Sequence, residues 1–368
     1  MPVAKVHRIS AYAPNDVSGI EAGIAAGRID PKGVIAVLGK TEGNGLVNDF
    51  SRGLATTALS LMFERYLPKV DAAQICLVMS GGTEGGMAPH WVVFERGDGE
   101  AAGKGGPTPA LAIGRAHTPP LPWEQLGRLG EVDQVADGVR AAMRDAGIVD
   151  PDDVHFVQIK CPLLTAHRIA EAGARGASVA TRDTLKSMGL SRAASALGVA
   201  AALGEIPRDR ITDAKIGADW SLWSGRASTS SGIELVNHEI VVLGMSKTWS
   251  GPLAVDHAVM TDGIDIEPVR AALKRLGLDT AGQLDAVQRL KLVALLSKAE
   301  ASHDGRLRGN RHTMLDDSDI ASTRHARGFV CGALAGLVGH AEIYVSGGAE
   351  HQGPDGGGPV AVIVERGA

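Results

Sequence analysis

Apolar positions in this chain gather into short continuous runs and longer helical-spaced stretches, and the alternation of the two repeats three times. VIAVLGK (34–40), VHFVQIK (154–160) and LVALLSK (292–298) are short and largely apolar up to a terminal lysine, which predicts buried strands. VADGVRAAMRDAG (135–147) and IEPVRAALKRLG (266–277) carry apolar residues at helical spacing ahead of two of these strands. SRGLATTALSLMF (51–63), SRAASALGVAAALG (191–204) and STRHARGFVCGALAGLVG (322–339) do so after each one. A strand or turn then delivers a serine and small residues: ICLVMSGGTEGG (75–86), RASTSSGIE (226–234) and EIYVSGGAEHQG (342–353). Each third closes on an apolar strand: HWVVFERG (90–97), EIVVLGMS (239–246) and PVAVIVERG (359–367).

This order divides the chain into units A (1–104), B (111–250) and C (254–368), joined by turn-rich segments at 97–109 and 249–255. Three marker residues recur in register: Lys40, Lys160 and Lys298; Arg52, Arg192 and Arg324; Ser80, Ser230 and Ser346. The serines align as SGGTE, SSGIE and SGGAE. Lysine-to-arginine intervals are 12, 32 and 26 residues and arginine-to-serine intervals 28, 38 and 22. Variable loops between ordered markers fit three diverged α/β copies, not the short uniform period of a solenoid. Read singly, each marker is an ordinary turn or solvated residue. A lysine that ends a buried strand three times over, however, is no packing requirement.

Composition narrows the function. A length of 368 residues alone suggests two or three domains; the repeats make it three units of one design. A net charge of −5 argues against a nucleic-acid surface. Glycine accounts for 48 residues and aromatics for only 4%, a composition for close backbone approach rather than base stacking. Cys76, Cys161 and Cys331 are too far apart in sequence for a paired zinc spacing or a disulfide framework. The opening MPVAKVHRIS lacks an apolar secretory core and no apolar run reaches membrane length, so a soluble, cytoplasmic protein with no membrane partner is expected.

Each arginine is expected in the first turn of a helix capped by Ser51, Ser191 or Ser322. Helix starts and SGG-type turns together make a donor-rich lining for a small, planar, acceptor-rich ligand such as a cyclic triimide. A serine nucleophile needs a base. No histidine recurs beside the serines, whereas a lysine does, so a Ser–Lys dyad is available three times. Glu42 and Glu300 lie two residues after Lys40 and Lys298, where an extended chain shares a face, and would favour the non-basic ammonium. Lys160 has Pro162 there, and Ser230 precedes Ser231 where the other copies have Gly81 and Gly347. Lys160 as base and Ser230 as nucleophile follow.

Other motifs fall away. GKT (39–41) is no phosphate loop, because Val34 stands where a glycine is required. SGGTEGG lacks dinucleotide-binding spacing, no H-E-x-x-H occurs, and no S-x-x-K ends at a marker lysine. The Gly-rich segment 346–359, with the Glu300 carboxylate, suits a hard cation.

The segments VLGKTEGNG, SRGLA, VMSGGTEGG, QIKCPLLT, SRAASALG, STSSGIE, STRHARG and YVSGGAEHQGPDGGGPVAVI resemble the cyanuric acid amidohydrolase/barbiturase family over the whole chain. The resemblance implies three α/β units around a pseudo-threefold axis, with strands in a central β-barrel and helices outside. It implies a ring bound on the axis by Arg52, Ser80 and Gly81; Arg192, Ser230 and Ser231; and Arg324, Ser346 and Gly347. Lys160 and Ser230 become the catalytic pair, Lys40 and Lys298 the lysines of the other two dyads, and Thr323 a residue bearing on substrate choice. The implied reaction opens cyanuric acid to carboxybiuret, which loses CO2 to give biuret. No catalytic cofactor is implied. A structural Mg2+ or Ca2+ would be held by Glu300 and loop oxygens of Ala349, Gln352, Gly353, Pro354 and Gly357. A homotetramer is implied as well. A barbiturase, or a non-catalytic binder of cyclic imides, are the competing expectations.

Overall fold

The computed structural model describes residues 1–99, 108–315 and 317–366. Residues 100–107 of the first joint and the last two residues of unit C lie outside the described residues.

Unit A runs β1 (Pro2–Ser10), α1 (Ser18–Ala25), β2 (Val34–Thr41), α2 (Phe50–Phe63), α3 (Lys69–Ala72), β3 (Cys76–Gly81) and β4 (His90–Asp98). Unit B runs β5 (Ala110–His117), α4 (Leu129–Ala146), β6 (Val154–Pro162), α5 (Ala166–Ala174), α6 (Thr184–Ala202), β7 (Ala227–Gly232) and β8 (Glu239–Ser246). Unit C runs β9 (Leu253–Met260), α7 (Glu267–Arg275), α8 (Ala286–Lys291), β10 (Leu292–Ala299), the short pair β11 (Arg306–Leu307) and β12 (Asn310–Arg311), α9 (Ser322–Val338), β13 (Tyr344–Gly347) and β14 (Gly358–Glu365).

The three main sheets share one topology: β1-β4-β2-β3, β5-β8-β6-β7 and β9-β14-β10-β13. In each, the last strand lies antiparallel between the first and the second, and the third pairs parallel to the second. The register of the parallel pairs puts Lys40 opposite Ser80, Lys160 opposite Ser230 and Lys298 opposite Ser346. The second strand carries an irregularity at the same place every time, at Val34/Ala36, Val154/Phe156 and Leu292/Ala294.

The expected central barrel needs correction in one respect. Among the described residues the ladders do not close into one barrel but stop as three four-stranded sheets. They are held together by apolar side chains. One core draws on all three, with Leu38 and Phe94, Phe156 and Leu243, and Leu296 and Ile363 all buried in it. Closure by packing spares the strand edges at the axis, where polar side chains are then presented.

Two helix starts also differ from expectation. α6 begins at Thr184, because Asp183 accepts from the Lys186 N–H at 3.0 Å, so Arg192 sits mid-helix. The serines before the arginines cap nothing. Asp49 caps α2, with Ser51 N–H donating to it at 2.9 Å, and Ser191 is buried with its hydroxyl on Glu131. A carboxylate is the stronger acceptor for a helix N–H than a hydroxyl.

Because the sheets are joined by packing, Phe156→Ala should lower stability by about 3–5 kcal/mol, read as a lower denaturant midpoint.

Candidate active site

The end of each second strand carries its lysine into the interior. Lys40, Lys160 and Lys298 are all buried. A buried ammonium needs acceptors, and each finds one on another unit. Lys40 Nζ donates to the Val345 carbonyl at 2.7 Å, Lys160 Nζ to Met79 at 2.6 Å and Lys298 Nζ to Thr229 at 2.8 Å. These carbonyls belong to the residues just before Ser346, Ser80 and Ser230, so the three lysines hand the contact round the ring.

One narrow cavity is lined by Ser80, Gly81, Ser230, Ser231, Ser346 and Gly347, together with Arg52, Arg192, Arg327, Gly45 and Met188. A wider mouth of about 450 Å³ adjoins it, shares Arg192, Arg327 and Gly347, and includes Thr323. The sequence-predicted ring-binding residues thus converge, with one exception, while Lys40, Lys160 and Lys298 lie behind the cavity lining. Arg324 is 38% exposed and does not line the cavity; its Nε reaches Glu84 at 3.2 Å. Arg327, one helical turn on and 3% exposed, takes the axial place. The signal was present: Arg327-Gly328 repeats Arg52-Gly53, and Ala326, Arg327, Val330 and Leu334 form the buried face of α9.

A glutamate four residues after each serine recurs as well. Glu84 clamps Arg327 through Nε at 2.8 Å and Nη2 at 2.6 Å. Glu350 clamps Arg192 at 2.7 and 2.6 Å. Glu234 of unit B faces Arg52 of unit A at only 3.7 Å and instead lies 2.8 Å from Lys160 Nζ. The turns explain the difference. Gly82 and Gly348 adopt φ of +101° and +77°, and a Cβ on either would strike the clamped guanidinium. Gly232 is not in that conformation, and a Cβ there would strike the Glu234 carboxylate itself. The unit B turn therefore folds its glutamate back towards the lysine.

The dyads differ accordingly. Lys40 donates to Ser80 at 3.1 Å and Lys298 to Ser346 at 3.2 Å. Lys160 is turned from Ser230, its register partner, onto Glu234 and Met79. The counter-charge argument from neighbouring residues is thereby reversed: the lysine with a carboxylate beside it is Lys160. β2 and β10 end at Thr41 and Ala299, so face-sharing by alternation stops before Glu42 and Glu300. Glu42 is exposed, and Glu300 accepts from the backbone N–H of Ala301 and Ala349.

Burial lowers the proton affinity of all three lysines. For Lys40 it is reinforced by Arg327 and carries the group well below its usual range. For Lys298, burial and then Arg192 bring it down to about 7. For Lys160, burial also dominates, but Glu234 opposes it. Glu234 is lowered in turn, because Lys160 and Arg52 outweigh its burial.

The proposed cation ligands cluster at the end of unit C. Glu300 is buried and its affinity for a proton is raised by burial and by Glu350. No ion pair to Glu300 occurs among the described residues. Gly353 and Gly356, at φ of +86° and +78°, turn the loop that carries Ala349, Gln352, Pro354 and Gly357. A buried carboxylate with no ion-pair partner, beside a tightly turned loop rich in carbonyls, fits a hard cation. The described residues hold one other group with metal-ligand proximity, His155, Asp256 and His257, none of which lines the cavity.

Comparison with known proteins gives a consistent answer. Residues 5–365 match the model of the amidohydrolase ring-opening protein family. The chain is 64% identical to the cyanuric acid amidohydrolase of Azorhizobium caulinodans over 366 residues, covering 100% of this chain and 99% of that one. It is 60% identical to that of a Bradyrhizobium species over 364 residues, covering 99% and 98%. The solved cyanuric acid hydrolase from A. caulinodans superposes with a TM-score of 0.92 at 63% identity, covering both chains fully. A second solved cyanuric acid hydrolase, described as an evolutionary innovation by structural concatenation, gives 0.94 at 46% identity, covering 99% and 100%.

The buried lysines make stability depend on pH. Lys298 loses its proton near pH 7 in the folded protein but keeps it to about 10.4 when unfolded. Between those values the unfolded chain binds more protons, so this residue makes stability rise with pH. Lys298→Met should therefore raise the melting temperature over wild type most at pH 7 and below, with the gain shrinking towards pH 10.

Proposed function

The chain belongs to the amidohydrolase ring-opening family, and on that premise we propose that it hydrolyses one amide bond of cyanuric acid, with Ser230 as nucleophile and Lys160 as its base. The observation that carries this reading is the convergence of three serines and three arginines, one of each per unit, on a single cavity. A ring with three carbonyls at threefold spacing matches that lining. Arg52, Arg192 and Arg327 bind the carbonyls, with the N–H groups of Gly81, Ser231 and Gly347 beside the serines.

In the proposed reaction Lys160 takes the Ser230 proton as Oγ attacks a ring carbonyl. The arginines and turn N–H groups stabilise the oxyanion. The C–N bond breaks, the ring nitrogen leaves protonated, and water hydrolyses the acyl-enzyme to carboxybiuret, which loses CO2 to give biuret. No step needs a cofactor. A structural Mg2+ or Ca2+ held by Glu300 and the loop oxygens of Ala349, Gln352, Gly353, Pro354 and Gly357 would neutralise the buried charge behind Glu350 and fix the Ser346 turn. Thr323, at the mouth, bears on which ring is accepted. The homotetramer belongs to the same proposal and is read by sedimentation. Among the described residues no helix is long and apolar enough to cross a membrane.

One observation favours a second reading, in which Ser346 and Lys298 do the chemistry: they are already hydrogen-bonded, and Lys298 titrates near neutrality. Ser230→Ala and Lys160→Ala should each abolish turnover of cyanuric acid with the fold intact by circular dichroism. A dead Ser346→Ala beside an active Ser230→Ala would move the chemistry to unit C. Arg327→Ala should raise KM by about tenfold or more, the scale of a lost charged hydrogen bond, whereas Arg324→Ala should stay near wild type. Barbituric acid, assayed in parallel, should turn over more slowly than cyanuric acid.

A further inference from the structure

We propose that Glu234 is the positioning residue of the unit B dyad: it holds Lys160 as an ammonium in the resting site and accepts a proton from it, so that Lys160 meets Ser230 as a free amine. The inference rests on the Ser230–Lys160 reading above and adds a residue to it.

The threefold pattern itself singles out Glu234. Its counterparts Glu84 and Glu350 are spent on arginines, each through two hydrogen bonds. Glu234 is 9% exposed, and the closest charged partner of its carboxylate is Lys160 Nζ at 2.8 Å, with Arg52 at 3.7 Å. With no arginine clamped to it, this carboxylate is the acidic group placed to exchange a proton directly with Lys160. Lys160 is likewise the only marker lysine turned away from its own serine.

A second cavity, of about 350 Å³, meets the pair from the side away from the serines. Lys160, Glu234, Glu239, Thr56, Ser60 and Leu77 line it, and its rim at Thr57 and Leu61 is exposed. None of its residues except Lys160, whose neighbour strand carries Ser230, connects it to the ring site. It gives a proton a path to solvent that a bound ring does not block.

The step balances. The ammonium N–H bond breaks and an O–H bond forms on Glu234. The freed amine swings to Ser230, takes the hydroxyl proton as Oγ bonds to the ring carbon, and is again an ammonium. That ammonium then supplies the proton for the leaving nitrogen. The charged and titratable groups around the pair are few. Lys160 faces Glu234, Arg52, Cys161 and Glu239, and Glu234 faces Lys160, Arg52, Arg168 and Glu239. Burial pushes Glu239 up to about 7, so it contributes little negative charge below neutrality.

The test is the pH profile of Glu234→Gln. Removing the carboxylate destabilises the ammonium, so the acid limb of kcat/KM should move to lower pH by on the order of one unit or more. The plateau kcat should fall by about a hundredfold, and Glu234→Asp should recover part of both. Glu84→Gln, which frees Arg327, should raise KM and leave the limb in place. A limb unmoved in Glu234→Gln, or moved equally in Glu84→Gln, overturns the proposal. Should Glu234→Gln fail to fold, 15N NMR titration of wild-type protein, with the Lys160 signal assigned from Lys160→Ala, decides. Lys160 must stay protonated to higher pH than Lys40, and titration at the same pH or below overturns the proposal. Ser230→Ala run alongside separates the failures. If it is inactive while the limb stays put, only the role of Glu234 falls; if it turns over, the dyad reading falls with it.

Discussion

Six buried basic side chains around one axis are the constraint on which the rest of this structure turns. Three lysines and the guanidinium groups of Arg52, Arg192 and Arg327 are buried together. Burial of charge without partners costs several kcal/mol per ion. Each arginine is answered from another unit, and Lys160 from its own. Glu84 of unit A answers Arg327 of unit C, Glu350 of unit C answers Arg192 of unit B, and Glu234 of unit B answers Lys160 and Arg52. From donor to acceptor, the lysines take carbonyls from the neighbouring unit in the opposite rotation to the arginines. The site is complete only when all three units close. Three separate sheets joined by packing suffice for that, because the polar contacts at their edges run between units.

A threefold lining suits a threefold ring but gives no reason to cut one bond rather than another. Chemistry needs the symmetry broken, and unit B breaks it locally. Ser231 replaces a glycine, and its hydroxyl is tied to the Pro162 carbonyl at 2.9 Å. The following Gly232 leaves the left-handed conformation that Gly82 and Gly348 use to cradle an arginine. The glutamate released from that duty falls on Lys160. A single altered turn thus changes the electrostatics of one dyad out of three while all three arginines still line the cavity.

The repeating framework was legible in the residues. Apolar strands ending in lysine, followed by a helix and a serine-bearing turn, reappear as β2, β6 and β10 with β3, β7 and β13 beside them. Errors arose where a local rule met a contact from a distant segment. Arg324 was aligned by its position after Ser322 and Thr323, yet the face α9 buries chooses Arg327. Serines stood where caps were expected, yet Asp49 and Asp183 accept the helix N–H groups. Glu42 and Glu300 were near Lys40 and Lys298 in sequence, but both strands end before reaching them.

By itself, then, the sequence determined the threefold plan, the residue types at the axis and the family, because apolar periodicity and recurring motifs are local properties that survive without a partner in space. Only the tertiary structure decided which arginine enters the cavity, which carboxylate each cation meets and which dyad departs from its siblings. Those are properties of pairs distant along the chain and mostly drawn from different units, 243 residues apart in the case of Glu84 and Arg327. Coulomb attraction between such groups follows distance through space, and the packing of three sheets sets that distance.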